Sequence, residues 1–172
     1  PEPVAGKPVS NEEVLQGFTH ICDRAQSIIR HGKDWKLWVL CDRDPVDTWQ
    51  DGRTVLLGDA AHPMMQYFAQ GACMAMEDGM VLADAVAAHD DIEAALAAYV
   101  AARTLRTARV QLQSREIGDD SYHPAGAHAE LRNAIMRAKT PTEWFDTLEW
   151  IYGGAGNGAG EGIHRERTAE AV

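Results

Sequence analysis

The chain has 172 residues, of which 45% are hydrophobic and 24% charged, and its formal net charge is −10. These values suit one globular domain that can bury a core. The excess of acidic residues argues against binding to nucleic acid or to an anionic membrane, because both need a basic surface.

The three cysteines (Cys22, Cys41 and Cys73) lie far apart and form no CxxC pair. This spacing disfavours a disulfide framework and a cysteine zinc site, and it suits a reducing cytoplasm. The histidines show no metal-ligand spacing either. No apolar run reaches the roughly 18 residues of a membrane-spanning helix, and no signal peptide is visible. We therefore expect a cytoplasmic protein without a transmembrane segment or a metal.

The N-terminal part of the sequence predicts one helix, over about 11–30. Apolar residues recur there at three- and four-residue spacing, as on one face of an amphipathic helix. Ser10 or Asn11 can cap its start. The following stretch, 35–45, is rich in Trp and Val, which predicts a strand.

A short buried strand is predicted over 53–57, with Gly58 at its end. The pattern turns helical at Gly71, and a further helix is predicted over about 91–117. Four arginines of this helix are expected on its solvated face: Arg103, Arg106, Arg109 and Arg115.

Two closing helices are predicted over 125–138 and 142–152, with Thr140 or Thr142 as a cap between them. The glycine-rich run 153–162 fits a degenerate dinucleotide fingerprint. That fingerprint requires a strand before it and a helix after it. A predicted helix end precedes the run and only a short polar stretch follows, so we expect a loose tail instead.

The predicted fold is therefore mostly α with a few short strands, an α+β arrangement. The strands are too few to build a doubly wound domain.

One stretch, 54–82, has the features of a ligand site: TVLLGDAAHPMMQYFAQGACMAMEDGMVL. Asp59 follows a strand, at the edge where open α/β folds bind ligands. Its carboxylate can accept hydrogen bonds from a polyol, or it can cap a turn. The small residues Gly71, Ala72 and Cys73 open a helix whose free N–H groups can stabilise an anion, or they can pack tightly.

The loop between these features carries further candidates. His62 can act as a base or a ligand, or it can be structural, and Pro63 fixes the turn. Gln66 and Gln70 can bind a carboxylate or a phenol without adding charge, or they can lie on a surface loop. The acids at 77–78 can cap neighbouring loops or face water.

Residues 52–83 resemble the GD motif of single-component, FAD-dependent aromatic hydroxylases, the flavoprotein monooxygenases related to 4-hydroxybenzoate hydroxylase. The segment 35–49 resembles the stretch that precedes this motif. The segments 114–136 and 145–153 resemble the closing helices of the 3-hydroxybenzoate 6-hydroxylase branch, with salicylate hydroxylase as the second choice.

The resemblance implies roles for several of these candidates in binding FAD or the substrate. The residue matching Asp59 binds the ribityl chain, and the one matching Pro63 lies near the isoalloxazine. Backbone N–H groups matching Ala72 and Cys73 face the pyrimidine edge of the flavin. The residue matching Gln66 lies at the substrate site, where it orients the aromatic acid or its phenol.

The implied reaction uses NADH to reduce FAD and O₂ to hydroxylate a phenolic acid, with 3-hydroxybenzoate giving gentisate. Salicylate and hydroxynicotinate hydroxylases of the same family remain alternatives. A non-catalytic helical interaction module is a third.

The family's N-terminal Rossmann βαβ unit, with its GxGxxG, has no counterpart in the sequence. We therefore expect the C-terminal part of an FAD-binding α/β hydroxylase, inactive alone, whose partner is the N-terminal portion of the same enzyme. The apolar faces of the closing helices suit that portion or a second copy in a homodimer. The expected organisation is the end of a substrate-binding region (1–50), the GD strand, loop and helix (51–90), C-terminal helices (91–152) and a tail (153–172).

Overall fold

The computed structural model of the chain describes residues 5–152. They form two compact units that divide between Cys41 and Asp42. The first unit contains strands β1 (Lys7–Pro8) and β2 (Lys36–Leu37) and helices α1 (Asn11–Gly17) and α2 (Asp23–Arg30). The second contains strands β3 (Gln50–Asp51) and β4 (Thr54–Val55) and helices α3 (Gly71–Ala88), α4 (Ile92–Glu116), α5 (Gly126–Ala138) and α6 (Pro141–Tyr152).

Three short helical turns complete the second unit. Two are 3-10 turns between β4 and α3, at Gly58–Ala60 and Gln66–Phe68. The third is a π-helix, Ile117–Tyr122, between α4 and α5.

In the first unit, the single helix predicted over 11–30 is wrong, because two helices stand in its place. α1 ends at Gly17, a poor helix former, and the chain turns before Cys22 takes an extended conformation and starts α2. Ser10 caps α1 as expected, accepting a hydrogen bond from the Glu13 N–H at 3.2 Å. The strand predicted over 35–45 shortens to β2, which pairs antiparallel with β1.

In the second unit, β3 and β4 form an antiparallel hairpin in which Gln50 pairs with Val55. The predicted strand over 53–57 is shorter than expected and only partly covered. One core cluster joins this hairpin to the helices, through Trp49, Ala61, Ala85 and Tyr99. The other is formed by Met74, Val110 and Ile151 and lies between α3, α4 and α6.

Helices α3 and α4 pack against each other, and this contact corrects the prediction for the arginines of α4. Arg103 is only 1% exposed, and Arg106 is largely covered. Both side chains point toward acids of α3 rather than toward water. The expectation of a solvated face holds for Arg109 alone, while Arg115 is partly covered beside Asp42.

The predicted fold class is confirmed, since the described residues are mostly helical with a few short strands. Both sheets have two antiparallel strands, so residues 5–152 contain no βαβ unit. Within that range, none of the helices has the length and apolar character required to cross a membrane. The glycine-rich run at 153–162 and the predicted tail, 153–172, lie outside the described residues.

Candidate functional site

The candidate site begins at Gly58, where the chain leaves β4. Gly58 has φ +60°, a conformation that side chains with a Cβ rarely adopt. A Cβ placed on it would lie 3.3 Å from Cβ of Ala75 in α3. The backbone of the loop therefore starts in contact with α3. Glycine suits this position because it adopts a positive φ and has no Cβ to collide with Ala75.

Asp78 in α3 binds this loop through hydrogen bonds. Its Oδ2 accepts hydrogen bonds from the Gly58 N–H at 3.0 Å and from His62 Nε2 at 2.6 Å. Its Oδ1 accepts one from Arg103 Nε at 2.7 Å. Burial favours the neutral form of Asp78, but the hydrogen bonds from His62, Arg103 and Gly58 outweigh it and lower the pKa of the carboxyl. Asp78 is thus a buried carboxylate that fixes the loop to two helices.

Glu77, the residue before Asp78 in α3, extends the network. It accepts hydrogen bonds from Arg103 at 2.6 Å and, through both oxygens, from Arg106 at 2.7 Å. Burial opposes ionisation here as well, yet the two guanidinium groups lower the pKa of Glu77 below its ordinary value. Arg106 also donates to the carbonyls of Trp150 and Ile151, at 3.1 and 3.2 Å. The network therefore reaches the C-terminal end of α6.

Two further side chains bind the carbonyl groups of the loop. Arg43 donates to the carbonyls of Ala60 and Ala61, at 2.9 and 2.6 Å. Gln111 in α4 donates to the Pro63 carbonyl at 3.0 Å and to that of Arg43 at 3.2 Å. A loop whose carbonyls are satisfied in this way has a defined path.

Tyr99 fastens the strand that enters the loop. Its hydroxyl donates to the Leu56 carbonyl at 3.2 Å. Burial, and then the nearby Asp78 carboxylate, raise the pKa of Tyr99 well above its ordinary value. The phenol is therefore neutral and serves as a donor.

The structure places Asp59 beside the start of α3. Asp59 is exposed, and its Oδ1 would lie 3.9 Å from a Cβ built on Gly71. The first helical hydrogen bond of α3 runs from the Met74 N–H to the Gln70 carbonyl at 2.8 Å. The N–H groups of the three residues before Met74 therefore have no partner in the helix, and two of these residues, Ala72 and Cys73, are exposed.

The remaining candidates separate into exposed and structural positions. Gln66 is exposed at the start of the second 3-10 turn, and Pro63 is half-buried. Gln70 is buried, and its amide donates to the Tyr152 hydroxyl at 3.2 Å, which ties the end of the loop to α6.

His62 has a partner acid that sequence reasoning did not place. Both His62 and Asp78 are 0% exposed, so Asp78 does not face water. It binds the neighbouring loop through the Gly58 N–H, which is the other of its two expected roles. The structural interpretation of His62 is the one that the geometry supports. Asp78 and Arg103 lie on separate helices. Their contact could have been predicted only from an expectation that α3 packs against α4.

The described residues contain no group of three or more His, Cys, Asp or Glu side chains that could hold a metal ion. The exposed groups suit a different ligand. A carboxylate beside a helix start with free N–H groups can hold a polyol with one part and a negatively charged ring edge with the other. Gly71 leaves the helix start open, so these residues fit the ribityl chain and the ring of a flavin dinucleotide.

Comparison with known proteins identifies the family of the chain. Residues 6–114 match the family described as FAD binding domain, and the chain belongs to that family. The family expected from the GD motif is confirmed.

Two relatives with curated names match most of this chain. The chain is 51% identical over 152 residues to 3-hydroxybenzoate 6-hydroxylase 1 of Aquipseudomonas alcaligenes, which covers 88% of this chain and 39% of that protein. It is 46% identical over 145 residues to 3-hydroxybenzoate 6-hydroxylase of Polaromonas naphthalenivorans, covering 84% and 36%. The chain thus spans about two fifths of the length of the curated relatives that it matches.

Solved structures agree on the fold. HpxO of Klebsiella pneumoniae, complexed with FAD and uric acid, superposes with a TM-score of 0.72 at 26% identity, over 86% of this chain and 39% of that one. A salicylate hydroxylase substrate complex superposes with a TM-score of 0.66 at 30% identity, over 86% and 36%.

Proposed function

We propose that this chain is the flavin-contacting part of an FAD-dependent monooxygenase that hydroxylates a phenolic aromatic acid. The proposed substrate is 3-hydroxybenzoate, the product is gentisate, and the reductant is NADH. The observation that carries the proposal is the juxtaposition of the exposed Asp59 carboxylate with the open start of α3. The names of relatives 51% and 46% identical support the substrate.

The two features bind different parts of the cofactor in this proposal. Asp59 accepts hydrogen bonds from the ribityl hydroxyls. The N–H groups of Gly71, Ala72 and Cys73, together with the positive end of the α3 dipole, stabilise negative charge on the ring. FAD supplies the redox and oxygen-transfer chemistry when bound, and the protein orients the reactants and excludes water.

Gln66 and Pro63 are proposed to face the substrate and the flavin ring, respectively. A neutral amide at Gln66 can hydrogen-bond to the carboxylate or the phenol of an aromatic acid without adding a charge. Gln66 is exposed, so its amide is accessible to a ligand. Pro63 removes one N–H donor and stiffens the turn near the ring.

The proposal is tested in the FAD-loaded hydroxylase that contains this chain. Gln66→Ala should lower the ratio of gentisate formed to NADH oxidised, with hydrogen peroxide replacing the lost product. Asp59→Ala should weaken FAD binding in a flavin titration. Gln16→Ala and Asp84→Ala are matched controls, since both residues are exposed and neither belongs to the loop. An unchanged ratio of gentisate to NADH oxidised (the coupling) in Gln66→Ala would contradict the role of Gln66. Unchanged FAD affinity in Asp59→Ala would contradict that of Asp59.

Two other aromatic acids are tested as alternative substrates. 6-Hydroxynicotinate 3-monooxygenase of Pseudomonas fluorescens is 43% identical over 110 residues, and the salicylate hydroxylase structure superposes as well. A panel of 3-hydroxybenzoate, salicylate and 6-hydroxynicotinate, with product analysis, decides among them. Turnover of salicylate or 6-hydroxynicotinate in preference to 3-hydroxybenzoate would revise the substrate and leave the cofactor site intact.

The organisation proposed for the chain follows the family. Residues 1–50 form the end of a substrate-binding region, 51–90 supply the FAD-contacting strand, loop and helix, and 91–152 form closing helices. The proposed partner is the remaining portion of the hydroxylase, with a homodimer as a further assembly and the cytoplasm as the location. Relatives more than twice as long as this chain support the partner.

We also propose that residues 1–172 alone bind FAD weakly and hydroxylate nothing. NADH oxidation by the isolated chain, with 3-hydroxybenzoate turned over, would overturn this. The alternative of a non-catalytic helical module is tested by mixing the chain with the remaining portion of the enzyme. Flavin absorbance retained by the purified complex would reject that alternative.

A further inference from the structure

Tyr67, the residue after Gln66, is held by the segment that follows α4. Its hydroxyl shares a hydrogen bond of 2.7 Å with His123 Nε2. The rings of Tyr67 and His123 meet edge to face, with centroids 5.2 Å apart. Tyr122 adds a second ring contact at 5.4 Å. Tyr67 is therefore fixed by both its polar and its apolar parts.

Gly118 makes room for this contact. A Cβ placed on Gly118 would lie 2.6 Å from Cδ2 and from Cε2 of Tyr67, closer than such atoms can approach. Gly118 is buried within the π-helix, a rare distortion that is frequent at functional sites. The Tyr67 ring thus packs directly on the backbone of that segment, which a larger residue at 118 would prevent.

The turn that carries Gln66 is fixed on its other side as well. The Gln66 carbonyl accepts a hydrogen bond from the Ala69 N–H at 2.9 Å, and Ala69 has φ +54°, an uncommon value for a residue with a side chain. Phe68 packs against Trp150 of α6, with ring centroids 5.9 Å apart. Tyr67 and Phe68 therefore anchor the turn to two elements, while Gln66 stays exposed.

We propose that Tyr67, with Gly118 and His123, is a positioning unit that sets the direction of the Gln66 amide toward the aromatic acid. This inference rests on the proposed function of Gln66. Tyr67 acts through the turn and not by contact with the reacting atoms. Side-chain positioning of this kind is effective because a small displacement of an orienting group reduces the yield of a reaction sharply.

The first test compares variants of the FAD-loaded hydroxylase. Tyr67→Phe and His123→Ala should each raise the KM for the aromatic acid and lower the ratio of hydroxylated product to NADH oxidised. The expected effect is about fivefold, typical of one lost hydrogen bond. FAD affinity should be unchanged. His89→Ala is the control, since His89 is exposed at the end of α3 and its ring shares a hydrogen bond with the Ala85 carbonyl of the same helix. Unchanged coupling in Tyr67→Phe would overturn the proposal.

A double-mutant cycle with Gln66→Ala separates positioning from general packing. If Tyr67 acts through Gln66, then adding Tyr67→Phe to Gln66→Ala should cause no further loss of coupling. Losses that multiply in the double variant would overturn the inference, because they would show that the two residues act independently.

Amide hydrogen exchange provides a measurement that does not depend on turnover. The Ala69 N–H should exchange about fivefold faster in Tyr67→Phe and at the wild-type rate in His89→Ala. Unchanged exchange would overturn the anchoring of the turn. A wild-type enzyme that hydroxylates none of the aromatic acids would refute the proposed function instead, and the exchange result would then decide the anchoring alone.

Discussion

Nε2 of His62 lies 2.6 Å from Oδ2 of Asp78, and both side chains are fully buried. The same carboxylate receives the Gly58 N–H and the guanidinium of Arg103. One residue of α3 therefore joins the start of the loop that we propose to face the cofactor, the turn at His62 and helix α4. The exposed candidates, Asp59 and Gln66, lie on a loop whose path is set by these buried contacts.

Asp78→Asn should destabilise the protein by about 3 kcal/mol, because it removes one of the two carboxylates that pair with the buried Arg103. Asp84→Asn, an exposed change on the same helix, should stay within about 0.5 kcal/mol. Urea unfolding of the flavoprotein measures both. Equal midpoints for the two variants would contradict the proposed importance of the buried carboxylate.

Acid should remove part of this stability. The pKa of Asp78 is lowered from 3.8 and that of Glu77 from 4.5. A carboxyl with a lowered pKa contributes its full stability above its ordinary value and loses it as the pH falls through the folded value. We expect the free energy of unfolding to fall as the pH drops below about 4, and to fall less steeply in Asp78→Asn. Urea titrations of the wild-type protein and of Asp78→Asn measure this, and parallel pH profiles of their free energies of unfolding would contradict it.

Gly58→Ala and Gly52→Ala form a matched pair. Both glycines have positive φ, +60° and +53°, but a Cβ at Gly52 meets open space, whereas one at Gly58 meets Ala75. Gly52→Ala should cost about 1 kcal/mol from conformation alone, and Gly58→Ala should cost more and also weaken FAD binding. Urea unfolding and flavin titration distinguish the two effects. Equal FAD affinity in both variants would show that the loop tolerates displacement from α3.

Arg106→Lys should loosen the end of α6. Lysine keeps the charge but cannot supply the planar fork that binds both oxygens of Glu77 and the carbonyls of Trp150 and Ile151. Amide exchange in the last turn of α6 should become faster. Arg109→Lys is the control, since Arg109 lies over the Trp150 ring at 3.9 Å and lysine can keep that contact. Similar exchange in the two variants would argue that charge alone matters.

Local features of the fold could be predicted from the sequence because their causes lie within a few residues. Ser10 with Glu13, and Thr140 with Glu143, form caps at three-residue spacing. Asp91 accepts from the Ala94 N–H at 2.9 Å and begins α4 where the pattern placed it. The break after Gly17 was missed because the apolar spacing continues across it, so periodicity alone favoured one long helix.

The buried network could not be predicted in the same way. Charged residues on a helix usually face water, and the sequence does not show that Arg103 and Arg106 meet acids of a separate helix. The chemistry of the candidate site was predictable from its residue types, since Asp59 follows a strand and Gly71 opens a helix. Their closeness in space was not, because it depends on the bonds from Asp78, Arg43 and Gln111 that set the path of the loop.

The loop between Asp59 and Gly71 is hydrogen-bonded to a helix near each of its ends. His62 is bonded to Asp78 in α3, and Gln70 is bonded to Tyr152 in α6. An inserted or deleted residue between these points would pull one of the two bonds apart, whatever its side chain. The number of residues in the loop is therefore constrained as well as their identity.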